Sequence, residues 1–334
     1  MTRILTYKDI DRAQWSALVN ASSTGTWFQS PEAYDFLAAQ QSVMQAFAYA
    51  LSDTRGVLKG VCVGYVTREK NALRQLLTRR AIIPGGACLA DDSSDEQVTA
   101  LMRAVQERLC RQVIYIETRN FNDYSRWRVA FAAAGFAYRP HLNFHVQPDD
   151  FEQRLSDNRK RQLHKIESQQ PRLAIREARN IDEISAWYGI LSELYRSKVK
   201  TPLFPDTFFL NAYRTHVARF LLVICDDTII GGSMLAADER CVYEWYECGL
   251  NSRYKEQYPS VAATLAGIRY AQENDCTRYD MMGAGEPGVP YGVRDFKAEF
   301  GGEQVEHGRF LHITHPLLYR LGAWGVKVLR TDRR

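Results

Sequence analysis

The stretch DFKAEFGG, residues 295–302, sets Lys297 between Phe296 and Phe300 and follows it with Gly301 and Gly302. An ammonium held still and away from water stabilises negative charge as it develops on an oxygen. Carboxylates that could move a proton beside it stand upstream. In VYEWYECG, strand alternation puts Tyr243, Trp245 and Glu247 on one face and Glu244, Tyr246 and Cys248 on the other. A carboxylate on the face that meets a ligand is a candidate general base, and Asp280, at the end of the next strand, is its rival. The pattern leaves Glu244, Glu247 and Asp280 all open. Tyr243 and Tyr246 suit an amphipathic ligand and equally suit a packed core.

Other cations flank these groups. Arg294 stands just before the DFK and offers a second positive charge, and Lys198 and Lys200 in YRSKVKTPLF suit an anionic acceptor or a solvated loop. SDNRKRQLHKIESQQP opens a helix that ends before Pro171, and its Arg159, Lys160, Arg161, His164 and Lys165 form either a phosphate or polyanion site or a solvated connecting face. GAGEPG at 283–288 satisfies GxGxxG, yet a dinucleotide site needs a helix opening at those glycines. Pro287, Gly288, Pro290 and Gly292 oppose one there. The segment reads as an ordered loop at a strand end, where Gly283, Gly285 and Tyr291 are candidate binding positions. The pairs His141/His145 and His312/His315 lack a nearby third ligand, so no metal is expected.

The elements that must position these residues recur in two halves. The first gives a helix over 28–37, a hairpin over 46–66 turning near Gly56, a helix over 96–110 and the strand QVIYIETR. Val98, Leu101, Met102, Val105 and Leu109 share one face of that second helix. The second half gives a helix in FPDTFFLNAYRTH, a hairpin turning at Asp226-Asp227, the strand RCVYEWYECGL, a helix from Ser260 and the strand TRYDMM. A drifting offset between matching elements points to an old duplication.

The chain has 334 residues, 46% hydrophobic and 25% charged, which fits two folded domains, and no apolar run is long enough to span a bilayer. No secretory leader is visible, so a cytoplasmic protein is expected. Seven scattered cysteines without CxxC oppose a disulfide framework. A net charge of +4 is too mild for wrapping duplex DNA.

At YDMMGAGEP, YGVRDFKAEFGG and GRF the sequence resembles the Fem (FemABX) peptidoglycan bridge-forming aminoacyltransferases and the GNAT-like, BioF2-like acyltransferases. WFQSPEAYDFL is similar to that family's first helix entry, and NRKRQLHKIESQQPRLAIREA to the opening of its second domain. The resemblance implies an α/β (α+β) fold of two GNAT-like domains, each a mixed, largely antiparallel sheet flanked by helices, around a shared cleft. The expected divisions are 1–150, 151–315 and a basic amphipathic tail over 316–334. Phe296 and Lys297 fall on the family's FK pair, Gly301 and Gly302 on its glycines. Lys297 is then the leading catalytic residue, steadying the oxyanion of an acyl transfer to an amine, with the phenylalanines excluding water. The alternative is a surface lysine between core-facing rings.

The resemblance also implies an amide bond formed on a peptidoglycan precursor, with aminoacyl-tRNA as donor and no bound cofactor. Neither ADDSSDE nor RYKEQYPS, which precede the central helices, is the glycine-rich basic loop that cradles a pyrophosphate. Coenzyme A is thus the second choice of donor, and recognition of tRNA is expected at its acceptor end. The tail, with Leu317, Leu318, Leu321, Trp324, Val326 and Leu329 among Arg320, Lys327, Arg330, Arg333 and Arg334, suits an anionic membrane surface or a terminal packed helix. Two other readings stand: N-acylation of a small-molecule or lipid amine from acyl-CoA or an acyl-carrier protein, and a non-catalytic protein that binds a muropeptide or a tRNA end.

Overall fold

The computed structural model describes residues 2–69, 75, 78–199 and 202–322. The chain divides into two compact units, Met1–His141 with Glu306–Arg334, and Leu142–Val305. Both differ from the expected divisions at 150 and 315, because two strands return to the sheet that lies away from their own half of the sequence. Leu142–Val146 (β8) pairs with Arg278–Gly283 (β13) in the second unit, and Arg309–Ile313 (β15) pairs with Tyr115–Asn120 (β6) in the first. Hydrogen bonding, not chain order, decides where each strand belongs.

In the first unit the described strands Arg3–Thr6 (β1), Met44–Ser52 (β2), Leu58–Thr67 (β3), Arg80–Gly85 (β4), β6, β15 and Ala137–Arg139 (β7) lie side by side in the order β1-β2-β3-β4-β6-β15-β7, with Cys88–Leu89 (β5) on β3. Pairing is antiparallel except at β4 and β6. The helix expected over 96–110 spans Asp95–Leu109. Ser94 caps it, its hydroxyl accepting from the Gln97 amide while the Gln97 side chain accepts from the Ser94 amide. Val98, Leu101, Met102, Val105 and Leu109 bury the expected face against Phe47, Leu51, Cys62 and Ile116 of the sheet.

In the second unit the order is β14-β8-β13-β12-β11-β10-β9, where β9 is Leu173–Glu177, β10 Arg219–Cys225, β11 Thr228–Ala237, β12 Cys241–Gly249 and β14 Glu303–Glu306. The hairpin β10–β11 turns at Asp226 and Asp227, at φ 46° and 62°, the left-handed pair that a tight two-residue hairpin requires. Here too one junction is parallel, β12 beside β13, joined by the helix Pro259–Glu273. That helix buries Val261, Leu265 and Ile268 with Val146, Val242, Tyr279 and Phe300.

The last stretch departs from a plain loop. After 284–291 a short helix, Gly292–Ala298, carries the DFK, and β14 follows it. Further toward the C-terminus, residues 316–322 are helical, with Leu317 and Leu321 exposed and the Tyr319 ring edge-on to Tyr115. Trp324, Val326, Lys327, Leu329, Arg330, Arg333 and Arg334 of the expected tail lie outside the described residues.

Candidate active site

Strand β12 does not alternate as its sequence implies. Its register with β11 pairs Ser233 with Glu247 and Met234 with Tyr246, then shifts so that Leu235 pairs with Glu244. Trp245 is the extra residue of a β-bulge. The bulge brings Glu244 and Glu247, three apart and expected on opposite faces, to the same face, opposite Leu235 and Ser233. Tyr243 and Tyr246 share the other face. Tyr243 is fully buried there with its hydroxyl on Asp238, and the partly exposed Tyr246 ring meets Phe209 and Tyr195.

The glutamate face lies against the helix Pro259–Glu273. Glu244 Oε1 accepts from Thr264 Oγ1 at 2.8 Å and from the Tyr279 hydroxyl at 2.9 Å. Burial raises its pKa, although nearby Lys297 and these two donors pull it down. Glu247 is partly exposed, and burial together with repulsion from Glu244 pushes its pKa up to about 8 against the opposing pulls of Ser260 and Lys297. Its Oε1 has no hydrogen-bond partner. A carboxylate that titrates near neutrality and has an oxygen to spare is equipped to take a proton from an amine. Thr264, Tyr279 and Ser260 escaped the sequence reading. Ser260 and Thr264, one helical turn apart in the otherwise apolar run 259–268 of that helix, are the signal that marks this face.

Parallel pairing of β12 and β13 runs from Cys241–Arg278 to Tyr243–Asp280. Beyond it, β12 continues through Glu244 and Glu247 without a β13 partner, so the strands part at their carboxyl ends. In α/β sheets such an opening is where ligands enter.

Lys297 sits at the end of β13. Its side chain is 7% exposed, and Nζ donates to three successive carbonyls, those of Met281, Met282 at 3.2 Å and Gly283 at 3.0 Å. Successive carbonyls of a regular strand point opposite ways. They converge here because Met282 adopts φ 62°, a conformation held by the Asp280 carboxylate, whose Oδ1 accepts from the Met282 amide at 2.7 Å and from Asn143 Nδ2 at 2.8 Å. Burial lowers the Lys297 pKa, opposed by Glu244, Asp280 and Glu247. The ammonium is fixed among the three expected carboxylates, yet its donors are engaged with backbone. To touch a substrate oxyanion it must exchange one of these bonds.

Asp280 is fully buried on the Tyr243 side of the sheet, with Oδ2 3.3 Å from His145 Nε2. Burial works against its ionisation, but His145, Arg278 and Asn143 outweigh it and its pKa falls. It is thus a poorer base than Glu247 and acts as an anchor for the β13 end.

The rings around the lysine frame a different cation. Arg159 is buried, with its guanidinium 4.6 Å from the Phe296 centroid and 4.8 Å from that of Phe300, and Nη2 donates to the Phe296 carbonyl. Burial lowers its pKa against the pull of Glu299. Arg159 therefore braces the Gly292–Ala298 helix from inside. Arg161 is exposed, and Lys165 pairs with Glu256. Arg294 is committed too, donating to the carbonyls of Ala284, Val289 and Glu286, so it staples the loop instead of adding a free charge. Gly283 supplies one Lys297 carbonyl, Gly285 makes room for the Tyr291 ring, and Tyr291 is 43% exposed. Lys198 is exposed on the π-helical turn Tyr195–Val199, and Lys200 lies outside the described residues.

The glycine pair is a packing requirement. Gly301 has φ 71°, and a Cβ there would run into the Arg154 carbonyl; one at Gly302 would meet the His145 carbonyl oxygen at 2.9 Å. Gly301→Ala is expected to destabilise the protein by about 2–4 kcal/mol, read as a melting shift of roughly 5–10 °C. Gly292→Ala is the control, since nothing lies within 4 Å of its Cβ and its Tm should hold.

Residues 153–297 match the family described as Acetyltransferase (GNAT) domain. The fold is similar to that of FemX (TM-score 0.70, 14% identity, 96% of this chain and 99% of that one). It is also similar to L-PGS from Bacillus licheniformis (TM-score 0.58, 11% identity, 94% and 96%). A third similar structure is a tandem GNAT protein from the clavulanic acid biosynthesis pathway (TM-score 0.59, 10% identity, 94% and 99%). No curated protein sequence matches. The chain thus carries a match to the GNAT domain over residues 153–297, shares the fold of FemX, and is an acyltransferase.

Proposed function

We propose that the second unit forms an amide bond on an amine of a cell-envelope acceptor, a peptidoglycan precursor, from an aminoacyl or other activated acyl donor. The observation that carries this reading is the bulge-made glutamate face, with Glu247 lifted to about 8 where β12 and β13 part. The amine nitrogen attacks the acyl carbonyl carbon while Glu247 takes the amine proton. The tetrahedral oxyanion then collapses, the bond to the leaving oxygen breaks, and Glu247 returns the proton to that oxygen. The products are an amide and an alcohol, here the ribose hydroxyl of a tRNA end if aminoacyl-tRNA is the donor. Lys297 supplies a fixed positive charge and holds the β13 end in place. Likeness to FemX favours the envelope acceptor.

The acetyltransferase match over 153–297 favours a second reading, N-acylation of a small-molecule or lipid amine from an acyl thioester. Incubating the protein with charged tRNA or acyl-CoA, each with soluble or lipid-linked muropeptide or a polyamine, and following amide products by mass spectrometry separates the two. Product from charged tRNA and muropeptide is expected. Product only from acyl-CoA selects the second reading, and binding without turnover by any pair leaves a recognition protein.

A further inference from the structure

A separate group of charges lies on the sheet of the first unit. On β6 the alternation buries Ile116, Thr118 and Asn120 and turns Tyr115, Glu117 and Arg119 to the opposite face. The neighbouring strands add to that face, with Arg309 of β15 directly across from Arg119 and Arg80 of β4 across from Tyr115. Glu117 Oε1 accepts from Arg119 Nε at 2.9 Å and from Arg309 Nη1 at 3.2 Å. Arg309 Nη2 also lies 2.9 Å from His141 Nε2.

One carboxylate therefore stands among three guanidinium groups and pairs with two of them. Arg80 has no ion pair among the described residues, and the Nε atoms of Arg80 and Arg309 are buried without a hydrogen-bond partner. A buried donor left without an acceptor is destabilising. The group is still within reach, since the Arg119 and Arg309 side chains are 40% and 28% exposed. Guanidinium forks match the paired oxygens of phosphates and carboxylates.

We propose that Arg80, Arg119 and Arg309 form a binding site in the first unit for a doubly charged oxyanion, a phosphoryl group or a pair of carboxylates. The site is independent of the chemistry assigned to the second unit. The ligand's oxygens would meet the accessible guanidinium edges and offset the charge that Glu117 leaves uncompensated.

Titration calorimetry of the full chain at low salt, with pyrophosphate and with succinate, tests it. At least one probe should bind with Kd below about 1 mM, and Arg80→Gln should weaken it about 10- to 100-fold, the loss of one charge-assisted contact. Binding of pyrophosphate alone points to a phosphoryl ligand and of succinate alone to a dicarboxylate; either supports the site. Because Arg80 makes no ion pair, the variant should melt as the parent does. If it does not, Arg119→Lys, which keeps the charge and loses the fork, should show the same weakening. No binding of either probe, or equal binding by parent and variants, overturns the proposal.

Discussion

Glu247→Gln is expected to lower turnover about 100- to 10,000-fold, the range for removing a general base, with little change in substrate affinity. In the parent, activity should climb with pH through about 8, where Glu247 ionises, and this climb should vanish in the variant. Stability should move the other way. A carboxyl whose folded pKa is raised binds more protons folded than unfolded, so its stabilisation is complete below the unfolded value and is lost as pH rises through about 8. Glutamine removes that loss. The variant should therefore match the parent in acid and exceed it above pH 8, by on the order of 2–5 kcal/mol from a shift of this size. Rate-against-pH profiles with thermal melts at acid and alkaline pH check both halves. An unchanged climb in the variant would move the base elsewhere.

How much of this site could be read beforehand follows from the range of the forces involved. The hairpin turn at Asp226-Asp227, the capped helix Asp95–Leu109 and the glycine pair are local, since turn chemistry, periodicity and backbone space act within a few residues. FKAEFGG marks Lys297 locally, and the charges of Glu244, Asp280 and Glu247 act on it. The choice among those carboxylates was not legible, because it depends on one inserted residue. Trp245 has strong strand propensity and nothing marks it as a bulge, yet the register shift moves a glutamate to another face. The burial of Arg159 is hidden for a related reason. A charge run usually stays in water, and only the two rings 137 and 141 positions further along the chain take this member out of it. The Arg80–Arg119–Arg309 face needs three strands from distant parts of the chain, of which only the Tyr115-Glu117-Arg119 alternation is visible locally. Unit boundaries depend on distant pairing likewise, since β8 and β15 are placed by their partners.

Lys297→Met keeps the stem and removes the charge, and it is expected to lower turnover by at least tenfold, about 1.4 kcal/mol of barrier. Three carbonyls lose a cationic donor, while the burden of a buried charge is lifted. The net destabilisation should be about 1–3 kcal/mol, with faster amide exchange across 281–285 marking release of the β13 end. A merely structural lysine would give that much and no more. The ammonium also holds down the pKa of Glu247, so its removal should carry the rising limb of the rate profile above about 8. Lys297→Arg should keep the limb near its original position, because the charge remains. It should still loosen the 281–283 turn, because a planar fork fits three converging carbonyls less well than an ammonium with three rotatable donors. Turnover within tenfold of the parent and an unmoved limb in Lys297→Met would leave Glu247 to act without it.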